Sequence, residues 1–143
     1  MDESIEQKRR EILAELLVSE KETLDQLKEL VQLSKLLFKI DETGKVILSR
    51  NHKFSNPEKI ELLLIGKYFA FNLKLIEEPC LDITQISEGL GIKNTTLSAP
   101  LGKLVEDRII TKPGSGKYQI VHHEIENTLK LINNKFKKRG NEK

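Results

Sequence analysis

The sequence contains no tryptophan and only one cysteine, and its other aromatic residues amount to five Phe and two Tyr. With so few rings, Leu and Ile must form the core. A lone thiol, Cys80, excludes an intramolecular disulfide and a cysteine-based zinc cluster, and a reduced cytoplasm is the expected setting. Eight Gly and four Pro are too few for a low-complexity chain. Apolar runs such as Leu62–Ile65 are far too short to span a bilayer, so no membrane partner is expected. The acidic start Met1-Asp2-Glu3-Ser4 lacks the basic and apolar regions of a signal peptide, and none is expected.

What is present is charge: 32% of the 143 residues are Asp, Glu, Lys or Arg, on a chain with a net charge of only +2. That length suits one compact domain, or one domain with an appended element. The charge is unevenly spread. Residues 1–91 carry 13 Lys/Arg against 17 Asp/Glu, a net −4, while residues 92–143 carry 11 against 5, a net +6. A basic C-terminal half suggests a surface that meets a polyanion. The plainer alternative is a solvated tail, because Lys135, Lys137, Lys138 and Arg139 supply four of those charges.

Residues 3–35 read as one long amphipathic helix. Apolar positions recur through Leu13, Leu16-Leu17, Leu24, Leu27, Leu30-Val31 and Leu37-Phe38, with no Gly or Pro from Met1 to Phe38. Such a stripe must be buried against something. The expected partner is a second copy, through residues 3–38; folding back within one chain is the alternative. Leu36–Ile40 and Val46–Leu48 then flank Asp41-Glu42-Thr43-Gly44, the composition of a type I turn closed by a left-handed residue, which predicts a short hairpin.

Ser55-Asn56-Pro57-Glu58 is a helix start, with a capping side chain, Pro at the first helical position and an acid in the first turn. The helix is expected to run to about Lys74, with Ile60, Leu63, Leu64, Tyr68 and Phe71 among its buried positions. A second, short helix is expected at Ile83–Leu90. Asp82 caps it, Gln85 stands at the capping-box spacing, and Gly91 suits the left-handed terminus. A tight turn leads to a third helix at about Thr95–Arg108. Ile109–Lys112 and Tyr118–Val121 read as strands around Pro113–Lys117. A last amphipathic helix, about His123–Lys138, carries Ile125, Leu129, Ile132 and Phe136.

Two stretches carry a resemblance. Asp82-Ile83-Thr84-Gln85-Ile86-Ser87-Glu88-Gly89-Leu90-Gly91-Ile92 looks like the second helix and turn of the winged-helix transcription regulators of archaea and bacteria. Lys93-Asn94-Thr95-Thr96-Leu97-Ser98, with Leu101, Leu104 and Ile109-Ile110, looks like their recognition helix leading into the wing. The resemblance covers about 65 residues. Ile83, Ile86 and Leu90 would anchor the second helix, and Leu97, Leu101 and Leu104 the third. The resemblance implies an α+β fold, mainly helical with small β-hairpins. A winged helix at 55–121 would be preceded by the helix and hairpin of residues 1–54 and followed by a helix and basic tail at 122–143.

The implied partner is double-stranded DNA, bound by a cytoplasmic homodimeric transcription regulator without a cofactor. The implied contacts are Lys93, Asn94, Thr95, Thr96, Ser98 and Lys103 on the third helix, with Lys112, Ser115 and Lys117 on the wing. The hydroxyls and Asn94 would meet phosphates and base edges, and the lysines would meet phosphates. Asn94 or Thr95 could instead merely cap the helix. Ala99-Pro100 departs from the family pattern: a Pro inside a helix deletes a hydrogen bond, so the helix is expected to kink there or to start later. No Arg on this helix offers bidentate guanine reading.

Other signals carry less. Gly114-Ser115-Gly116-Lys117 lacks the earlier Gly, the following Ser or Thr and the helix of a phosphate-binding loop. His122-His123-Glu124 lacks the spacing for two metal ligands on one helix face, so no metal is expected. Cys80 reads as a small buried side chain. Glu77-Glu78 and Glu106-Asp107 show no pairing in an apolar pocket for acid–base work, and no enzyme is expected. Two other functions remain open. One is a protein-interaction or scaffold module on the same fold. The other is an RNA-associated factor using Lys135–Arg139.

Overall fold

The computed structural model describes residues 2–16, 20–114 and 116–141, with side chains over 4–16, 23–114 and 116–136. The chain divides into two compact units, Met1–Val31 and Gln32–Lys143. Among the described residues there are six α-helices and two small antiparallel sheets, and no helix is long and apolar enough to cross a membrane.

The first unit holds α1 (Asp2–Ala14) and most of α2 (Glu20–Lys35). The single helix expected over 3–35 is therefore divided. Leu13 and Ile12 carbonyls accept from Leu16 and Glu15 N–H at 3.0 and 3.3 Å, three-residue steps that tighten and end α1. Residues 17–19 lie outside the described ones.

The second unit begins in the last turn of α2, where Ser34 is buried beside Leu37 and Phe38. β1 (Phe38–Ile40) pairs antiparallel with β2 (Val46–Leu48), Phe38 opposite Leu48. The turn between them takes the expected form. Gly44 has φ +88° and donates to the Asp41 carbonyl, and Asp41 Oδ1 accepts from Thr43 and Lys45 N–H at 2.8 and 3.0 Å.

α3 (Asn56–Asn72) is the centre of this unit. Ser55 and Glu58 form a reciprocal capping box, with Ser55 N–H donating to Glu58 Oε1 at 2.7 Å. Ile60, Leu62, Leu63, Leu64 and Ile65 are all buried, because α3 contacts both β1–β2 and the elements that follow it in sequence. Tyr68 and Phe71 depart from the expected core. Tyr68 is half-buried, its hydroxyl 2.6 Å from His122 Nδ1, and Phe71 is 39% exposed. The apolar arc of α3 is simply wider than the surface packed on it.

After α3 comes a two-residue strand, β3 (Leu81–Asp82), then α4 (Ile83–Leu90), α5 (Asn94–Glu106), β4 (Ile110–Gly114) and β5 (Lys117–Ile120). The sheet order is β3-β5-β4, with all pairs antiparallel. Pro113 sits in β4, an edge strand, where a missing N–H is tolerated. A 3-10 turn at His122–Glu124 leads into α6 (Ile125–Asn141). Ile125, Leu129 and Ile132 bury its inner face. Phe136 meets Phe54 and His52 edge-on, with ring centroids 5.2 and 4.5 Å apart. Asn133 Nδ2 donates to the Leu33 carbonyl at 2.8 Å, tying α6 to the end of α2.

Glu61 on α3 is half-buried, and its pKa is pushed up to about 7, first by burial and then by Glu58, which is itself held by Ser55 and Lys135. An acid whose folded-state pKa exceeds its unfolded value of 4.5 holds an extra proton in the folded state between those values. Stability therefore falls as pH rises through that window. Glu61→Gln should unfold like wild type at pH 5. At pH 8 it should be more stable by about 1 kcal/mol, after allowing for the water around a half-buried carboxyl. Urea titrations at the two pH values check this.

Candidate nucleic-acid interface

α4 and α5 are set by local chemistry. Asp82 Oδ1 accepts from Gln85 N–H at 2.8 Å, and Asp82 N–H donates to Gln85 Oε1 at 2.9 Å, so α4 starts on its capping box. It ends at Gly91, φ +68°, whose N–H donates to the Ser87 carbonyl. The Ser87 hydroxyl donates onward to the Ile92 carbonyl, which fixes the turn. Ile86 is fully buried, while Ile83 and Leu90 are half-buried.

That turn delivers Lys93, not Asn94 or Thr95, to the capping position of α5. Lys93 has extended backbone, and its carbonyl accepts from Thr96 and Leu97 N–H at 3.0 and 3.2 Å, with no side-chain cap. The capping role considered for Asn94 and Thr95 is therefore not what they do. The helix also starts before Pro100 rather than after it, and runs through that residue to Glu106. Pro100 has no N–H to offer the Thr96 carbonyl.

Leu97, Leu101 and Leu104 are buried and hold α5 against α3 and α4. With the apolar stripe turned inward, Asn94, Thr95, Thr96, Ser98 and Lys103 are all exposed. The Ser98 hydroxyl donates to the Asn94 carbonyl at 3.2 Å, which uses its hydrogen and leaves its oxygen able to accept. Thr95, Ala99 and Gly102 follow one another at helical spacing. All three are exposed, and a Cβ built on Gly102 meets no atom within 4 Å. The outer face of α5 is thus polar at its start and smooth in its middle.

The lysines are not equivalent. Lys93 is exposed and makes no ion pair with a described residue. Lys112 is exposed on β4, its ammonium 5.2 Å from the Tyr118 ring centroid, a cation–π contact. Lys103 faces Asp107 one turn on at 3.7 Å. Lys117 is half-buried and hydrogen-bonds Glu78 at 2.5 Å, with Asp82 opposite it across the β3–β5 ladder. Hydrogen bonding and charge raise the Lys117 pKa and lower that of Glu78. Ser115 lies outside the described residues.

The structure thus puts Lys93, Asn94, Thr95, Thr96 and Ser98 on one exposed helix start, Lys103 in the last turn of the same helix, and Lys112 and Lys117 on the following hairpin, with α5 in contact with β4. Glu78, Asp107 and Tyr118 were not anticipated as partners. Asp107 stands four residues from Lys103, a helix-face pairing visible in sequence. Glu78 is 39 residues from Lys117 and gives no local signal.

Cys80 is buried, and burial raises its thiol pKa. Among the described residues no group of three His, Cys, Asp or Glu could hold a metal ion. Comparison with protein-family models, curated proteins and solved structures finds no match.

Proposed function

We propose that residues 55–121 form a winged-helix module that binds double-stranded DNA, with α5 in the major groove and the β4–β5 hairpin along the backbone. The supporting observation is the order α3, β3, α4, α5, β4, β5 with α5 pinned by three leucines and its polar start left exposed. Lys93, Lys103, Lys112 and Lys117 would meet phosphates, while Asn94, Thr95, Thr96 and Ser98 would meet base edges and sugar-phosphate. The chain would serve as a cytoplasmic homodimeric transcription regulator. Exposed apolar residues on α1 (Ile5, Ile12, Leu13), in the turn after it (Leu16) and on α2 (Leu24, Leu27, Val31) favour a second copy as their cover, since Leu16 is 80% and Leu24 57% exposed. Two linked readers gain affinity through effective concentration.

A second reading is a protein-interaction module on the same scaffold. The smooth stretch Thr95-Ala99-Gly102 and the engagement of Lys117 by Glu78 favour it. Fluorescence anisotropy with a random-sequence duplex at two salt concentrations separates the two. Binding that weakens steeply with salt supports DNA; none at low salt transfers the case to a protein partner. Light scattering at micromolar concentration should give a dimer mass, and a monomer mass would remove the role given to α1 and α2.

A further inference from the structure

Two of the four lysines assigned to DNA already hold an anion of their own. Lys117, at the start of β5, is hydrogen-bonded to Glu78 from the segment between α3 and β3, and Lys103 lies 3.7 Å from Asp107 at the end of α5. Both pairs are open to water: Lys103 and Asp107 side chains are 68% and 44% exposed, Lys117 and Glu78 38% and 50%. Exposed ion pairs exchange partners cheaply. We propose that Glu78 and Asp107 are resident counter-anions that DNA phosphates must displace, so that they set how tightly the protein holds DNA backbone of any sequence.

The inference rests on the DNA-binding reading. A phosphate that takes over Lys103 or Lys117 leaves a carboxylate only a few ångströms away, well within the Debye length of roughly 8 Å at physiological salt, and the like charges repel. The penalty falls on backbone contacts alone. Base-edge contacts from Asn94, Thr95, Thr96 and Ser98 are untouched, so a larger share of the binding energy is left to sequence-dependent contacts. Glu78 and Asp107 are thereby specificity-determining residues that never touch a base.

The test is anisotropy of the full chain with a random-sequence duplex at two salt concentrations, for wild type, Glu78→Gln, Asp107→Asn and the double variant. Each single variant should bind about 3–10-fold tighter at low salt, and each freed lysine should steepen the slope of log affinity against log salt by up to about one. Glu88→Gln, which removes an exposed acid of α4 without a described ion-pair partner, measures the effect of net charge alone and should gain less than about 2-fold. If wild type binds but both variants bind no tighter, or gain no more than Glu88→Gln, the inference falls and the DNA reading stands. If neither wild type nor any variant binds at low salt, the DNA reading itself falls and takes the inference with it.

Discussion

Reversing Lys93, Lys103 and Lys112 together to Glu should weaken binding to a random-sequence duplex at low salt by on the order of 100-fold or more, without unfolding the protein. Each lysine that neutralises a phosphate releases counterions, and a glutamate in its place repels the phosphate as well. All three side chains are exposed, and none supports the core, so the urea midpoint should stay near wild type. Lys117 is left out deliberately: Glu78 and Asp82 surround it, and a third carboxylate there would strain the β3–β5 junction and confuse folding with binding. A triple variant that binds as wild type does would place the nucleic acid elsewhere or nowhere.

The second large effect concerns the scaffold. Gly66 lies on α3 directly beneath β2, and a Cβ built there would sit 2.6 and 2.7 Å from the two methyl carbons of Val46. Alanine is the better helix former by about 1 kcal/mol, so on an exposed helix Gly66→Ala would stabilise. Here the clash dominates. The hairpin must lift from α3 or Val46 must leave its rotamer, and the net loss should be roughly 2 kcal/mol by urea denaturation. Val46→Ala removes the obstructing methyls, so the double variant should be less destabilised than the sum of the single ones. Strict additivity would mean that β2 does not press on Gly66.

Much of this second unit was legible because its signals are local. Ser55 with Glu58, Asp82 with Gln85, and Gly91 each satisfy backbone groups within a few residues, and all do so as their spacing predicts. The Asp41–Gly44 turn is of the same kind. What escaped reading depends on distance or on what the chain packs against. β3 is two residues long, too short for periodicity, and exists because β5 offers it a partner. The capping position of α5 falls at Lys93, and the helix begins at Asn94, because Gly91 and Ser87 fix the turn, whatever Asn94 and Thr95 could do as caps. The unbroken apolar stripe of residues 3–35 gave no sign of the turn at Glu15 and Leu16, since periodicity reports a face and not its continuity.

Among the candidate interface residues, exposure of Asn94, Thr95, Thr96, Ser98 and Lys103 followed directly from the buried leucine stripe. The state of the lysines did not. Tyr118 under Lys112 and Glu78 against Lys117 depend on how β5 meets the rest of the sheet, which no local pattern encodes.

Amide chemical shifts recorded while a random-sequence duplex is added would locate the nucleic acid residue by residue. The largest changes should fall on Lys93–Gly102 and on Thr111–Tyr118, with α6 nearly silent. Changes absent throughout, or gathered on α6 while Asn94 to Ser98 stay still, would contradict the assignment of α5 and its hairpin to DNA.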